Sequence, residues 1–144
     1  MMIHGSWHFT FLDDNTLMVS VIGAWNKEAA IAFSKEFKQI TAPLLHQPWG
    51  LLVCMQNGEL VVPEAITILE QLNQWAIDNN CRREANIVQY QIHNDLIERT
   101  RSDEMRDYVQ CSFTRLADAL DYLKTEGFAQ SITLQEAEAW LAKH

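Results

Sequence analysis

Cysteine is scarce in this chain. Cys54, Cys81 and Cys111 are odd in number, widely spaced and never arranged as C-x-x-C, which excludes a disulfide framework or a zinc knuckle as the organising device. Reduced thiols in a cytoplasmic protein are expected, with Cys54 and Cys111 acting as small core hydrophobes. Glycine is sparse too. Gly5, Gly23, Gly50, Gly58 and Gly127 form neither G-x-G-x-x-G nor G-x-x-x-x-G-K, so no phosphate cradle is present. There is no G-x-S-x-G nucleophile elbow either. Basic side chains are outnumbered, 11 against 19 acidic, for a net charge of −8. Such a field opposes a phosphate backbone, so no nucleic-acid partner is expected. No apolar run approaches the roughly 20 residues that span a bilayer. The opening residues, MMIHGSW, have no basic n-region followed by an apolar stretch, so no signal peptide is expected.

What is present is ordinary globular material. The 144 residues are 48% hydrophobic and 21% charged, which argues against disorder. The length fits one domain, residues 1–144, able to bury about 68–70% of its unfolded surface without a staple.

Residues 7–12 (WHFTFL) alternate, Asp13, Asp14 and Asn15 make a turn, and residues 16–23 alternate again, which reads as a hairpin. Asn26 is placed to cap a helix whose Ala30, Phe33, Phe37 and Ile40 form one stripe, and Pro43 ends it. Residues 49–55 (WGLLVCM) form a continuous apolar run, the mark of a strand covered on both faces. A turn is expected at Gln56, Asn57 and Gly58. Pro63 opens a second helix striped by Ile66, Leu69, Leu72 and Ala76. A weak strand over 85–90, a polar helix from Asn94 to about Tyr108 and a short strand over 110–113 follow. Thr114 is the expected cap of a helix over 116–123, and Gly127 fits its C′ position. Thr133 and Glu136 form a capping-box pattern for a short C-terminal helix at about 133–142. The order β-β-α-β-α-β-α-β-α-α specifies an α/β fold with a mixed, mostly parallel sheet and an N-terminal antiparallel hairpin.

Four features carry a family resemblance: the hairpin closing on Ile22 and Gly23, the strand LLVCM at 51–55, the helix opened by Pro63, and FTRLADALDYL at 113–123. With them the chain resembles the STAS superfamily, and more closely the SpoIIAA-like (STAS/SEC14-type) bacterial proteins, over a core of about residues 7–128. The resemblance implies helices packed on a mixed sheet and a non-enzymatic role in protein interaction or small-ligand sensing. In anti-sigma antagonists of this superfamily the switch is a phosphorylatable Ser after the third strand. The corresponding stretch here, residues 56–64 (QNGELVVPE), contains no Ser or Thr.

Few residues nominate chemistry. His4 and His8, on a strand, would stand about 13 Å apart and have no third ligand nearby, so no metal is expected. Asp13 and Asp14 read as a turn rather than an acid/base pair. Ser6 and His8 lack an acid partner. The spacings Asp95/Arg99, Arg99/Asp103 and Asp103/Arg106 read as weak ion pairs on a solvated helix face. Ligands of open α/β sheets sit beyond the carboxyl ends of the strands, which nominates Gln56, Asn57, Glu59, Tyr90, His93 and Asn94 as ligand-binding residues. Trp75, off its helix stripe, and Trp140, on the C-terminal helix, are candidate interface anchors. Residues 1–80 carry 8 acidic and 3 basic groups and residues 81–144 carry 11 and 8, so a partner attracted by charge would dock on the first two helices.

The expectation is a non-enzymatic protein-interaction or regulatory module without catalytic residues or cofactor, with a protein partner or homodimer as its assembly. The alternative is a module binding a small apolar ligand or lipid, as on the SEC14 side of the superfamily, in a pocket of several hundred Å³ between helices and sheet.

Overall fold

The computed structural model describes residues 2–100 and 107–144. Five strands form one sheet: β1 (Ser6–Asp13), β2 (Thr16–Trp25), β3 (Trp49–Val61), β4 (Cys81–Ile87) and β5 (Val109–Phe113). Their spatial order is their chain order. β1 pairs antiparallel with β2 and every later pair is parallel. The helices are α1 (Lys27–Thr41), α2 (Pro63–Asp78), α3 (Gln91–Thr100), α4 (Leu116–Thr125) and α5 (Leu134–Lys143), with a single 3₁₀ turn (Ala42–Leu44) after α1.

This is the α/β architecture read from the sequence, and several local signals act as expected. Asn26 Oδ1 accepts the Ala29 N–H at 2.9 Å and so caps α1. Pro63 occupies the first turn of α2, where its missing N–H costs nothing. Thr133 and Glu136 form a reciprocal capping box on α5. Gly127 takes a φ of 94° just beyond α4.

Other signals need correction. Gln56, Asn57 and Gly58 do not end β3. The strand runs on to Val61, and its register against β2 slips between Ser20 and Ile22. A bulge absorbs the polar residues that read as a turn. β4 starts at Cys81, four residues before the expected Ala85, and ends at Ile87. α3 begins at Gln91, before Asn94. Arg115, not Thr114, stands at the cap of α4, without a side-chain cap bond. Of the ion pairs expected on α3, Asp103 and Arg106 lie outside the described residues, and Asp95 accepts from Gln91 at 3.1 Å.

Alternation along β2 and β3 divides the core in two. Leu17, Val19 and Leu51 face α1 and α2, together with Phe33, Phe37, Leu72 and Ala76. Trp49 is fully buried on this side, and its Nε1 donates to the Asn79 carbonyl at 2.8 Å. Burying an aromatic ring of that size contributes roughly 4–6 kcal/mol. Met18, Leu52, Cys54, Ala85 and Ile87 face the other way, against α4 and α5. Val21 and Val53 continue the first face towards α3, where Met55, Val88 and Ile97 form a smaller cluster.

Candidate functional site

The face under α1, α2 and α3 is incompletely filled. A cavity of about 110 Å³ lies between these helices and strands β2 to β5. One end is walled by Trp25, Phe33 and Phe37, which pack edge to face and tilted against one another. Val19, Val53 and Leu69 continue the apolar lining.

The other end is polar because β4 and β5 place Glu84, Asn86 and Gln110 on this face. Glu84 is 6% exposed and Asn86 2%. Gln110 Nε2 donates to Glu84 Oε2 at 2.6 Å and Asn86 Nδ2 donates to the same oxygen at 3.0 Å. The Tyr108 hydroxyl also bonds the Glu84 side chain. Burial pushes the Glu84 carboxyl up from its ordinary value, against the opposing pull of these three hydrogen bonds.

His93 closes one side, 2% exposed. Its Nδ1 accepts the N–H groups of Gln89 at 3.1 Å and Tyr90 at 3.3 Å, and its Nε2 lies 2.9 Å from the Gly58 carbonyl. With Nδ1 accepting twice, the proton resides on Nε2 and is donated to Gly58. The ring thus ties the extension of β3 to the start of α3. Glu59, exposed, marks the mouth of the cavity. Asn73 and Thr100 also line it, and Asn73 Nδ2 donates to the Thr100 carbonyl at 2.8 Å.

The six nominated ligand residues are separated by the sheet. Glu59 and His93 line the cavity. Gln56 and Asn57 lie on the opposite face, in an open groove of about 600 Å³ beside α4 and α5, where Gln56 Oε1 takes a weak bond from Cys54 Sγ. Tyr90 and Asn94 are exposed and line neither. Trp75 is half-buried, edge-on to Phe37 and under the Lys38 ammonium. Trp140 is half-buried and stacked on His144. Both tryptophans therefore spend much of their surface within their own chain.

Glu84, Asn86 and Gln110 were not nominated from the sequence. For Glu84 and Asn86 the signal lay in β4: a parallel strand covered on both faces favours apolar residues, and these two polar residues stand at alternate positions on one face. Among the described residues no group of three or more His, Cys, Asp or Glu could hold a metal ion. No helix there is long and apolar enough to cross a membrane.

No protein-family model and no curated protein matches the chain. A solved structure does: an uncharacterised protein of the DUF3478 family with a SpoIIAA-like fold, from Shewanella loihica. The two superpose with a TM-score of 0.62 at 16% identity, over 85% of this chain and 96% of the other. A likeness at that TM-score, over nearly the whole of the Shewanella chain, identifies the fold here as SpoIIAA-like.

Proposed function

We propose that this chain is a non-catalytic STAS-type binding module that takes a small, mostly apolar molecule between its sheet and helices α1 to α3. The observation that carries the reading is the cavity of about 110 Å³, apolar over most of its wall and polar at the Glu84 end. Pockets of this make-up, with a few convergent polar groups, are where small ligands bind. The volume is below the several hundred Å³ anticipated for a small apolar ligand or lipid. It lies nearer the roughly 150 Å³ of an apolar cavity that accepts benzene. The ligand is therefore a compact molecule of a few carbon atoms rather than a long acyl chain.

Binding without turnover is supported by how the reactive groups among the described residues are held. His93 has both ring nitrogens engaged with backbone, and Cys54 and Cys81 are buried thiols raised by burial, unfavourable for a reactive thiolate.

Cyclopentane and xenon test the reading. Either should raise the thermal midpoint and shift the methyl resonances of Val19, Val53 and Leu69, and Ala76→Leu, which grows a side chain into the space, should abolish both effects. Unchanged midpoint and spectra at saturating probe would sink the proposal.

A further inference from the structure

The charged groups that line the cavity have one sign. Glu84 stands inside and Glu59 at the mouth, and no Lys or Arg lines the space among the described residues. His93 is not the missing cation, since its Nδ1 accepts two backbone N–H groups. The three partners of Glu84, namely Asn86, Gln110 and Tyr108, are all neutral. A carboxyl so deeply buried is normally paired with a cation or gives up its charge. At the far end stand the rings of Trp25, Phe33 and Phe37, apolar surfaces whose faces tolerate a cation.

We infer that the cavity selects a small protonated amine, its ammonium on Glu84 and its hydrocarbon part against Trp25, Phe33 and Phe37. This rests on the binding reading above and names its ligand class. The ammonium supplies what the described lining residues do not, a donor bearing positive charge for the buried carboxylate, and charge-assisted hydrogen bonds are the strong ones. Burial raises the Glu84 carboxyl, and a cation seated on it pulls in the opposite direction, favouring the carboxylate. A carboxylate ligand meets the opposite field. Glu84 repels it, and no lining Lys or Arg among the described residues compensates, so a fatty-acid head is disfavoured as well as its chain. Glu59 at the mouth favours approach of the same sign of ligand.

The test is a matched series on the intact chain at neutral pH: cyclopentylamine, cyclopentanol, cyclopentane and cyclopentanecarboxylate, titrated by calorimetry or NMR. The amine should bind at least tenfold tighter than the alcohol, and the carboxylate should not bind. In Glu84→Gln the amine should lose its advantage while the alcohol keeps its affinity. If the alcohol and the hydrocarbon bind and the amine is no tighter, the amine assignment is wrong and the cavity reading stands. If none of the four binds, both fall. The wild-type series decides between these outcomes even if Glu84→Gln does not fold.

Discussion

Replacing His93 by alanine should weaken the fold locally and by a definite amount. The ring makes three hydrogen bonds, from the N–H groups of Gln89 and Tyr90 at 3.1 and 3.3 Å and to the Gly58 carbonyl at 2.9 Å. A typical bond of this kind contributes about 1 kcal/mol net, and a buried group left without a partner costs about 1–3 kcal/mol. Gln89 and Tyr90 are exposed, so water takes over their N–H groups, whereas Gly58 is half-buried beside the cavity. The expected loss is therefore about 3 kcal/mol, including the packing of the ring. Urea denaturation measures it, as a lower midpoint at unchanged slope. Native-state hydrogen exchange should place the loss: the amides of α3 should lose protection while those of α4, on the other face, keep theirs. A loss below about 1 kcal/mol, or one spread evenly over both helices, would refute the claim that His93 is the clasp between β3 and α3.

Two further outcomes test other parts of the structure. Because burial raises the Glu84 carboxyl above its ordinary 4.5, the folded state holds that proton to higher pH than the unfolded chain. Its contribution to stability therefore falls as pH rises through that window, by about 1.4 kcal/mol per pH unit of displacement. Glu84→Gln should remove this component, and the difference between the two stability–pH curves isolates it from groups such as Asp13, whose pKa is lowered. Parallel curves would contradict it. Gly50→Ala should cost about 1–3 kcal/mol in chemical denaturation, because its new Cβ would stand 2.9 Å from Phe128 Cγ and 3.1 Å from Phe128 Cβ. Phe128→Leu should relieve part of that cost in the double variant.

The element order was legible because its signals are local. Asn26, Pro63 and the Thr133/Glu136 box each act within one turn of helix, and the run at 49–55 has no polar interruption. Strand ends were less legible. Gln56, Asn57 and Gly58 are turn residues by type, yet pairing of Asn57 with Ile22 and Gly58 with Gly23 draws them into β3. That pairing is a tertiary fact. The site was legible only in part for the same reason. Proximity to strand ends found Glu59 and His93, but it also gathered Gln56 and Asn57, which the bulge in β3 leaves together on the other face. Glu84 and Gln110 are 26 residues apart, and only the register of β4 against β5 brings them together.

The strictly sequential strand order has a consequence for how the chain is made. Each parallel connection steps one place in the same direction, and connections of one hand then put α1, α2 and α3 on the same side. The opposite side, with Met18, Leu52, Cys54, Ala85 and Ile87, is covered by α4, α5 and the segment between them. On a ribosome these are the last of the described elements to emerge. Until residue 116 and beyond leave the exit tunnel, a nascent chain that has already paired its strands displays an apolar sheet face to the cell. This is the kind of surface that chaperones hold and that aggregates when they do not.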